Sequence, residues 1–187
     1  THTLIIWVIV LLLTACGSTK VNTAQSRFYQ SFVTRFNVYH NGNEAYKEGL
    51  SAQEKSHKDN YMEIIPLFPV SKENTRSSGS GSFDKAIEKS QKAIKLHSIK
   101  QKPKKKAGRK LSEKDKLWYA KKEYNPYLHN AWMLMGKAQF QKGEFLEAAS
   151  TFSYITRLYS EDPKIVAEAR MRMAQCYAEL EWNYEAD

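Results

Sequence analysis

Residues 130–159 read NAWMLMGKAQFQKGEFLEAASTFSYITRLY. The stretch divides into two amphipathic arms about Gly143, a turn residue because glycine takes backbone angles that a Cβ forbids. The first arm places Trp132, Met135 and Phe140 on one face, and the second places Phe145, Ala148, Ala149 and Phe152 on the face opposite. Small Gly136 and Ala148 predict that the two helices approach closely.

Trp132, Met135, Gly136, Ala148, Phe152 and then Pro163 follow the order of the tetratricopeptide pattern, with Met in the Leu position. The plainer alternative is an ordinary amphipathic helical hairpin. The repeat reading is preferred because Gly136 returns as Ala174, Ala138 as Cys176 and Glu147-Ala148 as Glu185-Ala186, a shift near the period of about 34 residues. With 187 residues, five prolines and few alternating runs, the expected fold class is all-α: tetratricopeptide-like helical hairpin repeats forming an α-solenoid fragment, in which each unit covers its neighbour's apolar face. The chain stops at Asp187, where a second helix would begin, so a longer polypeptide is expected.

Upstream, residues 4–13, LIIWVIVLLL, form an apolar run about half as long as a membrane-spanning helix needs. Leu13-Thr14-Ala15-Cys16-Gly17 follows and resembles a bacterial lipobox. Residues 1–15 are therefore expected to be a lipoprotein signal peptide, Cys16 the lipidation site, its acyl chains the only attached group, and 16–23 a polar tether. Cys176 is the second cysteine, and no disulfide is expected.

Residues 24–100 are expected to form an N-terminal helical hairpin, an insertion and a further helix. Phe28, Phe32 and Phe36 recur every four residues beside Val33 and Tyr39, which predicts a helix burying an aromatic stripe. Asn41-Gly42-Asn43 is read as a break, with Asn43 capping a second helix to about His57. The Pro/Gly/Ser-rich insertion at 61–82 contains the apolar MEIIPLFPV, read as an extended strap in preference to a partner-binding segment. Phe83, Ala86, Ile87, Ser90, Ala93 and Ile94 then build the next helix.

Positive charge is concentrated late in the chain. Residues 102–122 hold ten Lys or Arg against Glu113 and Asp115, a net +8 of the chain's +9. Pro103 and Gly108 keep the 101–112 linker out of a helix. Its Lys104, Lys105, Lys106, Arg109 and Lys110 are candidate contacts for anionic headgroups or an acidic protein surface; a solvated loop with no partner is the alternative. Residues 113–187 carry the repeats. Ser112–Asp115 offers a capping box for a short helix through Trp118 and Tyr119, and Asn125-Pro126 and Asp162-Pro163 are read as helix starts.

No catalytic constellation emerges. The histidines at 2, 40, 57, 97 and 129 lie in unrelated segments without metal-ligand spacing, and there is no phosphate-binding loop or nucleophile turn. The expectation is a protein with no catalytic residues, no metal site and no other cofactor. Nucleic acid is not expected as a partner, despite the basic run.

SRFYQSFVTRFNVYHNGNEAYKEG, FDKAIEKSQKAIKLHS and YNPYLHNAWMLMGKAQFQKGEFLEAASTF, read together after a lipobox, resemble the N-terminal part of the PorW/SprE lipoproteins of Bacteroidetes, tetratricopeptide-containing proteins of type IX secretion and gliding motility. The resemblance implies a lipid-anchored scaffold on the periplasmic face of the outer membrane. Its implied partners are other secretion-system proteins, namely the outer-membrane translocon and the trans-envelope complex. Two alternatives are a repeat lipoprotein of outer-membrane barrel assembly and the docking module of an envelope enzyme whose catalytic domain lies beyond Asp187. Only Cys16 takes a role from the resemblance, as the acylation site.

Overall fold

A computed structural model describes residues 21–182 apart from 63, 64, 66, 67, 72, 106, 107 and 109. The expected signal peptide, Cys16, Lys106 and Arg109 lie outside the described residues. Among those described, every regular element is helical and there is no strand.

The chain runs through α1 (Ala24–Val33), a π-helical segment (Thr34–Tyr39), α2 (His40–Ser56), a 3-10 turn (Pro69–Ser71), α3 (Glu73–Arg76), α4 (Ser80–His97), α5 (Glu113–Ala120), α6 (Leu128–Gln141), α7 (Phe145–Leu158) and α8 (Pro163–Glu179). The main packing order is α2 on α4, α4 on α6, α6 on α7 and α7 on α8.

Two sequence expectations fail in the first hairpin. Asn41-Gly42-Asn43 does not end a helix: α1, the π segment and α2 follow one another without a break, and α4 is the partner arm. The side that packs inward carries Gln30, Thr34, Val38, Gly42, Ala45, Gly49 and Gln53, a small and polar stripe at helical spacing. Gly42 belongs to this contact, since a Cβ there would lie 3.2 Å from Lys89 Cβ and from a Leu134 methyl. The phenylalanine stripe faces the opposite way. Phe28, Phe32 and Phe36 are 73%, 53% and 57% exposed.

The π segment begins where the Thr34 hydroxyl donates to the Gln30 carbonyl at 2.6 Å, an acceptor that the Thr34 N–H also uses. Such back-bonding competes with the regular ladder and bends helices.

The two hairpins share a pattern of ring contact and burial. Tyr46 meets Phe83 at 5.7 Å with rings at 60°, and Phe140 meets Phe145 at 5.2 Å and 59°. Phe83, Ala86, Ser90 and Ala93 are buried on α4 at the spacing of Phe145, Ala148, Phe152 and Ile155 on α7. Tyr46 precedes Phe140 by 94 residues but Phe83 precedes Phe145 by only 62, because the first hairpin carries the long 57–79 connection where the second has a tight turn. Gly143 supplies that turn, with φ of +82°.

The connection is a strap. Val70 is fully buried in the core shared by α6, α7 and α8, and Phe68 packs edge-on against Phe140 at 5.6 Å. Ser71 Oγ donates to Glu179 at 2.7 Å, and Arg76 Nε donates to the Val70 carbonyl at 2.9 Å while its guanidinium lies over the Phe145 ring. Helix α4 begins at Ser80, so the last residues of the Ser/Gly run form its first turn.

Candidate docking surfaces

The packing residues named from the sequence meet as pairs. Gly136 lies so close to Phe152 that a Cβ there would be 2.7 Å from the ring, and Met135, Ala148 and Phe152 are buried. Trp132 is half-buried and packs against Tyr154 at 4.8 Å with the rings tilted by 42°.

Among the described residues, three concavities stand out. One is a groove lined by Tyr46 of α2, Lys137, Phe140 and Gln141 of α6, and Arg172 and Gln175 of α8, with Phe152 of α7 and Phe68 of the strap also reaching it. The first, third and fifth helices of the stack therefore share a face. A second recess, between α4 and α7, holds Trp132, Tyr154, Lys95 and Lys100. The third is a cleft of about 280 Å³ lined by Arg27 and Phe28 of α1, Trp118 and Lys121 at α5, and Tyr159 and Ile165 at the α7–α8 junction. In this cleft Arg27 and Lys121 lie over the Trp118 ring at 5.1 and 5.3 Å. Burial, and next to it the nearby Glu123, raises the pKa of the Tyr159 hydroxyl well above its ordinary value.

Behind the cleft lies a buried polar junction that the sequence did not disclose. The Glu123 carboxylate, 5% exposed, accepts from the backbone N–H of Ile99, Tyr124 and Asn125 at 2.8–3.0 Å and from Ser98 Oγ at 2.5 Å. Asn125, 2% exposed, donates to Thr34 Oγ1 and to the His97 carbonyl, and its side-chain oxygen accepts from Tyr127 N–H. It is not the helix cap expected of it: α6 starts at Leu128 with Tyr127 as its N-cap, and Asn125 instead closes the turn just ahead of the helix, its side-chain oxygen accepting from Tyr127 N–H and its carbonyl from Leu128 N–H. His97 Nδ1 is 2.6 Å from Gln30 Oε1, and burial lowers its basicity.

The Ser112 and Asp162 caps form as read. Ser112 and Asp115 make a reciprocal capping box, and Asp162 accepts from Lys164 and Ile165 with Pro163 in the first turn. Asp115 and Ser112 bring Trp118 and Tyr119 into place on α5, against which the linker folds. Lys105 lies over the Tyr119 ring at 5.6 Å, and the Tyr119 hydroxyl donates to the Lys104 carbonyl at 3.4 Å. Lys104, Lys105 and Lys110 are exposed.

No group of three or more His, Cys, Asp or Glu side chains suited to a metal ion occurs among the described residues. Cys176 is a buried free thiol whose pKa burial pushes up to about 12. No helix among the described residues is long and apolar enough to cross a membrane. Compared with known protein families and with curated proteins, the chain matches none.

Proposed function

We propose that the stack is a tetratricopeptide-type scaffold that binds other proteins through its helix faces and has no catalytic role. The observation that carries the reading is the shared face of α2, α6 and α8, with α4 and α7 forming the other layer. Alternate helices lining one open surface is how helical repeats present an extended binding site. The paired Tyr46–Phe83 and Phe140–Phe145 contacts support a repeat origin for both hairpins.

On the likeness to PorW/SprE lipoproteins, the scaffold is anchored in the outer membrane through acylated Cys16 and faces the periplasm. There it links the type IX translocon to the trans-envelope motor complex in secretion and gliding motility. Affinity capture of the tagged protein from detergent-solubilised native envelopes, with mass spectrometry of what is bound, tests this. Recovery of translocon or trans-envelope components is the expected result. Recovery of barrel-assembly subunits alone would move the assignment to outer-membrane barrel assembly, and recovery of neither would remove the secretion role. Cys16→Ala is expected to release the folded protein from membranes washed at high salt, which also removes contacts made through surface lysines; retention after that wash would overturn the anchor.

A further inference from the structure

We propose that α1 and the linker beside it form a second, non-covalent membrane contact: the Phe28–Phe32–Phe36 ladder enters the headgroup boundary of an anionic phospholipid leaflet while Arg27, Lys102, Lys104, Lys105 and Lys121 meet its phosphates. The inference rests on the anchored reading of residues 1–20 and goes beyond it, because it assigns a docking face that sets the stack's orientation.

Three observations converge on it. The first is the ladder itself. Phe28 and Phe32 stack at 6.3 Å, Phe32 and Phe36 meet at 4.9 Å, and the neighbouring Tyr29 is exposed as well. A soluble chain rarely leaves a continuous aromatic row in water. Helices that lie in a bilayer interface are built with aromatic residues on one side and Lys or Arg beside them.

The second is charge. No Asp or Glu occurs from Val21 to Asn43, whereas Arg27 and Arg35 border the ladder. The fold adds the basic linker, which is distant in sequence. Asn22 Nδ2 donates to the Gln101 carbonyl at 2.7 Å, and Arg27 sits over Trp118, which sets Lys102 near the N-terminal end of α1, while Lys104 and Lys105 lie against Tyr119, next to Trp118 on α5. Phe28, Trp118 and Lys121 border one cleft. The carboxylates that line it are Glu123, Glu161 and Asp162; Glu123 is buried and engaged by backbone N–H groups, and Asp162 caps α8.

The third is the tether. The eight residue steps from Cys16 to Ala24 span at most about 29 Å when fully extended. An anchor at Cys16 would therefore keep the start of α1 within about 29 Å of the leaflet, so that the leaflet is a surface the ladder can reach.

The test uses the full chain bound to phosphatidylethanolamine–phosphatidylglycerol vesicles, with a spin label at Phe32→Cys and, as reference, at exposed Ser150→Cys on α7. Flotation reads the anchor, and collision with a water-soluble nickel chelate against oxygen reads depth. The expected result is vesicle-bound protein in which the label at position 32 loses roughly fivefold of its chelate collisions while the label at 150 keeps them, as for a side chain seated in the acyl boundary. Replacing phosphatidylglycerol by phosphatidylcholine, or combining Lys102→Gln, Lys104→Gln and Lys105→Gln, should return position 32 toward water. Floating protein with both labels fully aqueous would overturn the docking face and leave the anchor standing. Failure to float would overturn both. Protection of position 32 without vesicles, accompanied by a dimer in sedimentation, would assign the ladder to a second copy of the chain instead.

Discussion

Asn125 donates its side-chain amide to Thr34 Oγ1 at 3.0 Å across 91 residues of sequence, and through that bond the first turn of the π segment is held to the entry of α6. The same amide reaches the His97 carbonyl at 2.9 Å, so one side chain joins three segments. Asn125→Ala should therefore cost about 1–3 kcal/mol, the penalty for leaving a buried acceptor unpaired. Chemical denaturation measures the loss. Hydrogen exchange should show faster opening in α1 and the π segment than in α7, and uniform acceleration would place the bond's effect elsewhere.

Glu123 accepts three backbone N–H groups and one hydroxyl. Hydrogen bonds to a charged group contribute about 1.5–3 kcal/mol each, so Glu123→Ala should cost more than Asn125→Ala. Glu123→Gln keeps an acceptor for the N–H groups and should recover much of the difference. Equal stability of Glu123→Ala and wild type would contradict the role assigned to this carboxylate.

Gly136→Ala gains roughly 1 kcal/mol of helix propensity but sets a Cβ 2.7 Å from the Phe152 ring. Overpacking of a tight core costs about 1–3 kcal/mol, so the net change should be destabilising. Combining it with Phe152→Leu should cost less than the two single changes added together. Strict additivity in that double-mutant cycle would show that the ring does not limit the helix approach.

Val70 ties the strap to the core. Val70→Ala should cost about 1.5 kcal/mol, at about 0.8 kcal/mol per buried methylene equivalent. It should also expose the 57–79 connection to limited proteolysis before any helix is cut. A cleavage order unchanged from wild type would mean that the strap is held by Ser71 and Arg76 alone.

Burial lowers the pKa of His97 below its ordinary 6.5, and His129 shifts in the same direction, chiefly through burial. Because the unfolded chain takes up these protons first, the stability due to the neutral rings is complete above about 6.5. It is lost as pH falls toward and through the lowered folded values. The melting temperature should drop between pH 7 and pH 5, and His97→Gln, which can still donate to Gln30, should flatten that slope. An identical slope in the variant would remove His97 from the pH response.

The α6–α7 hairpin was legible because its determinants are local. Gly143 and the Asp162-Pro163 cap act within a single turn, and Gly136 and Phe152 lie only 16 residues apart on the two arms that Gly143 joins. The α2–α4 hairpin was hidden by the 57–79 connection between its arms, and by an inward stripe of Gln, Thr, Gly and Ala that no hydropathy pattern marks. The aromatic spacing at 28, 32 and 36 correctly indicated a helix but pointed to the wrong side of it. Periodicity reports which residues share a face, not what that face meets.

By itself, then, the sequence determined an all-helical chain, the tight turn at Gly143, the capping box at Ser112 and the Asp162-Pro163 helix start, since propensity, turn chemistry and capping are properties of neighbouring residues. Only the tertiary structure decided that residues 24–56 run on as one helical arm, that Glu123 and Asn125 are buried, and that the basic linker lies beside an outward aromatic ladder. Those outcomes depend on which surfaces remain uncovered once α4 and α6 have packed, and that competition for burial is settled by contacts far apart along the chain.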